Sequence, residues 1–240
     1  MGGVLRVALC PNPPAQGPVL LVEALPAGSA LTLLLARGAR SVWVAPGPKV
    51  ARLLGGLLLG EKEGFPPEGF HGTLDLRALE ALEVKDQEIV LLAPGLASSL
   101  SPEETEVYLG NFRNARAVYT ALKGLTTKTL TVRPAGEGEP YLSAVVAAGF
   151  LAKKLAPEGE GAYALFSALL KAFPDPQEAL FQSQEGQRLY RMGRTEDLAR
   201  ASLIGVDEVL PRLVEVRFFP KDAYGLSQDR FAFRFAPWNA

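Results

Sequence analysis

The sequence of 240 residues contains a single cysteine, Cys10, and a single histidine, His71. One cysteine rules out an intramolecular disulfide and suits a reducing compartment. One of each also excludes a Cys/His zinc site. Basic excess is lacking as well: 25 Lys and Arg stand against 26 Asp and Glu, for a net charge of -1. Nothing is left over to neutralise a phosphate backbone, so nucleic acid is not an expected partner. No apolar run is long enough to span a bilayer. Met1–Arg6 lacks the charged start and long apolar core of a secretion signal. A cytoplasmic protein without a membrane partner is expected. Phosphate-binding loops of the Gly-x-x-x-x-Gly-Lys-Ser/Thr type, Gly-x-Gly-x-x-Gly fingerprints and Gly-x-Ser-x-Gly elbows are all missing. Asn and Met are scarce while Leu, Ala, Gly, Pro, Arg and Glu dominate, a profile compatible with a thermophile.

What is present is a 48% hydrophobic chain in which short β-like runs alternate with helical ones. Strands are expected at Val4–Leu9, Val19–Val22, Ser41–Val44, Leu57–Leu59, Glu88–Ala93, Val107–Leu109, Thr129–Val132 and Leu213–Phe219. Helices are expected over Ala30–Arg37, Val50–Leu54, Asp75–Leu82, Phe112–Leu122, Pro140–Leu155, Ala162–Phe173, Gln177–Phe181, Ser183–Tyr190 and Thr195–Ala201. Ser29 can cap the first of these, and Ser101-Pro102-Glu103-Glu104 reads as another helix start. Arg230–Phe235 alternates strictly, so it reads as an edge strand over the core or part of an interface between copies. This order implies a three-layer α/β/α fold, with a mainly parallel or mixed sheet covered by helices on both faces. One domain over residues 1–240 is expected, with room for two intertwined subdomains: a helical segment near 160–205 and a strand extension over 213–240. Pro157–Gly161 is the best internal break and reads as a helix–helix loop.

The segment Gly60-Glu61-Lys62-Glu63-Gly64-Phe65-Pro66-Pro67-Glu68-Gly69-Phe70-His71 follows an apolar strand, and its glycines and prolines forbid regular structure. An acidic, glycine-rich loop at a strand's C-terminal end is where α/β proteins often place ligands; it can equally be a stiff solvated loop. Glu23 ends the apolar strand Val19–Val22, where a carboxylate needs a partner. Metal ligation would satisfy it, and so would an ion pair with arginine. With Cys and His nearly absent, oxygen chemistry around a hard cation such as Mg2+ is what remains. Cys10 reads as a buried structural thiol.

These segments together resemble the 2-phosphosulfolactate phosphatase family, over about Val19 to Asp207. The family's acidic Asp-Val-Leu-Arg-Ala-Thr-Ser-Thr segment is matched by Glu23-Ala24-Leu25-Pro26-Ala27-Gly28-Ser29-Ala30, with proline in place of arginine. Its Gly-Glu-x-x-Gly loop is matched by Gly60–Gly64, and its Gly-Phe-Asp by Gly69-Phe70-His71. Gly110-Asn111-Phe112-Arg113-Asn114 stands for Gly-Ser-x-x-Asn, and an acidic pair is replaced by Ser143-Ala144. The C-terminal pattern is intact as Ser183, Gly186, Leu189, Gly193 and Asp197.

The resemblance implies a Mg2+-dependent phosphatase acting on a small anionic phosphorylated substrate. In that frame Glu23 and Glu61 are the expected metal ligands, and Glu61 and His71 the expected catalytic groups. Ser29, Arg113 and Asn114 are the expected substrate-binding residues, although Ser29 and Asn114 can instead be plain helix caps. The alternative is a catalytically impaired homologue that binds a small anion or a protein partner. A homo-oligomer built on the Arg230–Phe235 strand is compatible with both.

Overall fold

The computed structural model describes residues 5–7, 17–123, 129–155 and 162–238. Cys10 and the Pro157–Gly161 break lie outside the described residues. In chain order the elements are β1 (Leu5–Val7), β2 (Val19–Val22), α1 (Ala27–Ala36), β3 (Ser41–Ala45), α2 (Pro48–Leu54), β4 (Leu57–Gly60), α3 (Leu76–Ala81), β5 (Glu88–Leu92), α4 (Pro94–Ser98) and β6 (Val107–Gly110). They continue with α5 (Ala115–Leu122), β7 (Leu130–Pro134), β8 (Gly136–Glu137), β9 (Glu139–Pro140), α6 (Leu142–Leu155), α7 (Ala162–Ala172), α8 (Pro176–Gln182), α9 (Gln184–Arg191), α10 (Thr195–Ala201), β10 (Pro211–Phe219), α11 (Lys221–Tyr224) and β11 (Arg230–Pro237).

Nine strands form one mixed sheet in the order β1-β7-β2-β6-β10-β11-β3-β5-β4. Two blocks are parallel, β1-β7-β2-β6 and β3-β5-β4. Their strands are short apolar runs buried along most of their length, as parallel strands covered on both faces must be. Between the blocks sits the hairpin β10–β11, antiparallel within itself and to β6 and β3 on either side. The Arg230–Phe235 segment is therefore not an edge strand. Both of its backbone edges are used inside the chain, which removes it as a strand-pairing surface between copies. Its alternation remains real. Phe233 and Phe235 enter the main core from one face, while Arg234 on the other lies 5.5 Å from the Trp43 ring. Arg217 covers the same indole at 4.5 Å, so two guanidinium groups seal Trp43 where no apolar element does. Around Trp43 a smaller apolar cluster gathers Val50 and Ala51 of α2 with Val90 and Phe219.

Two further sequence readings are corrected. Ser101–Glu104 forms a turn, not a helix. Glu104 is drawn instead into a buried, two-pronged pair with Arg133 of β7, at 2.6 and 2.8 Å. Ser29 does not cap α1. The helix begins two residues earlier, and the Ser29 hydroxyl donates to the Ala24 carbonyl at 2.7 Å. No described helix is long and apolar enough to cross a membrane.

Phe235 is completely buried on a strand that joins both half-sheets. Phe235→Ala should lower unfolding stability by about 3–5 kcal/mol, as large core truncations do. Urea titration followed by the fluorescence of buried Trp43 measures it; a loss below about 1 kcal/mol would show that the hairpin seals rather than supports the sheet.

Candidate active site

Chain geometry gathers four loop systems at the C-terminal ends of the parallel strands, and together they enclose a cavity of about 900 Å³. The β2–α1 connection contributes Glu23 and Pro26, and the β4 loop contributes Glu61, Lys62 and Glu63. Gly95 at the start of α4 and the pair Glu137 and Tyr141 around the β8–β9 ribbon line further walls. Helix α9 closes the space with Glu185, Arg188 and Arg191.

Glu23 is 3% exposed. The chain turns back at Leu25–Pro26 and enters α1, so that the Gly28 N–H donates to Glu23 Oε2. Position 28 needs glycine for a steric reason: a Cβ there would collide with the Glu23 carbonyl and carboxylate. The first-turn amides of α1 favour the ionised carboxylate. Burial opposes them and wins, and Glu185 adds repulsion, so the Glu23 carboxyl is pushed up from its ordinary 4.5 to about 8. Burial also raises the Glu185 carboxyl, partly offset by hydrogen bonds from its own amide and from the Ser183 and Ser143 hydroxyls. Tyr141 is raised above the usual phenol range by burial, with Glu137, Glu23 and Glu185 adding to it. Four oxygen-bearing side chains thus feel one another across one side of the cavity.

Glu61 belongs to a different charge cluster. It lines the same cavity, but its carboxylate accepts from Arg194 Nη1, whose other nitrogens donate to Asp197. Glu23 and Glu61 therefore share a cavity without sharing partners. Among the described residues no group of three or more His, Cys, Asp or Glu side chains is close enough to hold a metal ion.

The remaining expected residues are not brought to the cavity. His71 lies exposed beside the outer strand β4, where its Nδ1 accepts from the Leu58 N–H at 3.0 Å and its own N–H donates to the Leu58 carbonyl. Arg113 makes a buried two-pronged pair with Asp207 at 2.7 and 3.1 Å and donates to the Arg200 carbonyl. Asn114 accepts from the Asn111 N–H and donates to the Leu109 and Val209 carbonyls. Its side chain makes no cap bond, so it is neither an anion ligand nor a side-chain cap. Ser29 is fully buried within the first turn of α1. Sequence reasoning missed Glu185, Arg188, Arg191, Tyr141 and Glu137. The available signal was the intact Ser183-x-x-Gly186 pattern: Ser183 caps α9 at the Gly186 N–H, and a Cβ at 186 would strike the Leu180 carbonyl. That fit sets the charged side of α9 over the cavity.

The chain is thus an α/β protein with a mixed sheet and a cavity of acidic and basic side chains at its strand ends. A family profile described as 2-phosphosulpholactate phosphatase matches residues 7–216, and the chain belongs to that family. A probable 2-phosphosulfolactate phosphatase of Carboxydothermus hydrogenoformans is 27% identical over 205 residues, covering 80% of this chain and 84% of that protein. One from Thermus thermophilus is 27% identical over 224 residues, covering 87% and 94%.

Burial of Glu23 has a consequence for stability. The unfolded carboxyl loses its proton near 4.5 and the folded one near 8, so between these values the folded state binds more protons. The stabilisation is complete below about 4.5 and disappears as pH rises through about 8. Glu185 and Asp197, also raised, act in the same direction. Without divalent cations the melting temperature should fall by roughly 5–15 °C between pH 5 and pH 9. Glu23→Gln should flatten most of that slope; an unchanged slope in the variant would mean that Glu23 ionises without cost.

Proposed function

We propose that the chain is a magnesium-dependent phosphatase hydrolysing a small acidic phosphomonoester of the 2-phosphosulfolactate kind. One observation carries the reading. Two carboxylates that repel each other, the buried Glu23 and the half-buried Glu185, face a cavity also lined by Lys62, Arg188 and Arg191, which have no ion-pair partner among the described residues. The names of the curated relatives point the same way.

The donor set fits a hard divalent cation. Two carboxylates with raised pKa values form a site short of positive charge, and carboxylate oxygen is what Mg2+ prefers. Glu23 and Glu185 would hold it. When bound, the ion would neutralise charge on the phosphoryl oxygens and acidify a water. The Gly28 N–H keeps Glu23 fixed in position through one oxygen, so little reorganisation accompanies binding. Lys62, Arg188 and Arg191 attract the anionic groups of the substrate and fix its orientation from two walls. Tyr141 retains its proton at working pH and donates a hydrogen bond into the cavity without titrating. The apolar lining of Leu25, Leu74 and Leu96 limits water around these charges. The second reading, an anion-binding relative without catalysis, draws on one fact: Glu61, the acid of the Gly-Glu loop, is already neutralised by Arg194.

Phosphate release from 2-phosphosulfolactate, measured with and without Mg2+, tests the reading. Turnover should require the ion. Glu23→Gln and Glu185→Gln should each cut kcat by about 10²–10³-fold, whereas Arg188→Ala and Arg191→Ala should act mainly on KM. Absence of turnover, together with no Mg2+-induced melting shift, eliminates the enzyme and leaves the anion-binding reading.

A further inference from the structure

Arg194 sits at a junction of three segments that the sequence separates widely. Its Nη1 donates to Glu61 of the β4 loop, and its Nε donates to Asp197 Oδ2 of α10 at 2.8 Å. Its Nε also lies 3.8 Å from Asp75, which caps α3 by accepting from the Ala78 N–H at 2.9 Å. Asp197 uses its second oxygen to accept the Leu76 N–H at 3.0 Å. The side chains of Arg194, Glu61 and Asp197 are 12%, 6% and 3% exposed. One guanidinium therefore ties the β4 loop, the start of α3 and the α9–α10 corner into a single unit.

The tie has a steric counterpart. Lys62 and Phe65 pair through both backbone hydrogen bonds, at 2.8 and 3.1 Å. Glu63 and Gly64 between them take positive φ angles of 55° and 87°, making a tight two-residue turn. Gly64 rests against the Met192 sulfur so closely that a side chain there would overlap it. Met192 lies two residues before Arg194. The turn that carries Lys62 is thus pinned to the end of α9, the helix that carries Arg188 and Arg191.

We infer that Glu61 and Arg194 are positioning residues: their ion pair fixes the spacing between Lys62 on one wall of the cavity and Arg188 and Arg191 on the other. Glu61 then contributes to the site through Arg194 and does not itself meet a cation or the substrate. A fork-shaped donor is needed because two carboxylates on different segments must be gripped at once, which a lysine ammonium does less well. The kinetic part of this inference rests on the phosphatase reading; the structural part does not.

The test compares wild type with Glu61→Gln and Arg194→Lys, both close in size to the native residues. Amide hydrogen exchange across residues 60–76 should accelerate about tenfold in each variant, with the β2–β6 core unchanged. The Mg2+-induced melting shift, which reads Glu23 and Glu185, should persist. KM should rise about tenfold and kcat should change much less. Unchanged exchange in both variants overturns the inference. So does Glu61→Gln that loses the Mg2+ shift and kcat together, since Glu61 would then be meeting the ion. If wild type itself shows no Mg2+-dependent turnover, the phosphatase reading fails alone, and the exchange data still decide whether the clamp exists.

Discussion

Two parallel half-sheets cannot share a hydrogen-bonded sheet unless something joins their facing edges, and the hairpin β10–β11 does so in this chain. The site depends on that join. Glu23 and Tyr141 hang from the block built on β2 and β7, whereas Glu61 and Gly95 hang from the block built on β4 and β5. The width of the cavity between them is set by how many strands intervene and how they twist. The last element of the chain thereby fixes the distance between side chains from its first half. Arg113 and Asn114 support the same arrangement. They grip the segment leading into β10 through Asp207 and the Val209 carbonyl, so their polar groups are consumed in placing the hairpin.

Charge in the molecule follows one rule with an exception. Buried charged groups are paired: Arg133 with Glu104, Arg113 with Asp207, and Arg194 with Glu61 and Asp197. Breaking such a pair by removing one partner is costly because the other is left dry and unmatched. Glu23 is the exception: among the described residues no arginine or lysine pairs with it, and backbone amides offset its burial. A group in that condition either keeps its proton or awaits a cation from outside. Evolution could have placed an apolar residue at position 23 without disturbing the strand.

Much of the architecture was legible in the sequence because it rests on local signals. The apolar runs at Val19–Val22 and Glu88–Leu92 and the helical stretches over Asp75–Leu82 and Ser183–Tyr190 depend on neighbours within a few residues. Long-range choices were not legible. The alternating Phe and Arg of β11 report one buried face, yet say nothing about which strands flank it. The Ser101–Glu104 pattern keeps its local contact, with Glu104 accepting from the Ser101 N–H at 3.3 Å, yet no helix follows, and Arg133, distant in sequence, shares the glutamate. Of the candidate site, Glu23 and Glu61 were found because an acid beside an apolar strand is locally anomalous. Glu185, Arg188 and Arg191 were missed because charges on a helix are ordinary, and only the fold decides whether that side meets solvent or a cavity.

Helix α9 shows how little sequence such a site requires. Leu189 and Gly186 bury one side of it, and Gly186 allows contact so close that the helix can adopt one seating only. Once seated, residues spaced by three present Glu185, Arg188 and Arg191 to the same space. Glu185 repels Glu23 on the acidic side of the cavity, while the two arginines sit further along the helix and remain exposed. On the phosphatase reading proposed above, a divalent ion held by Glu23 and Glu185 would offset the negative charge at this end of the cavity once both carboxyls ionise, so metal and substrate binding would be coupled by electrostatics.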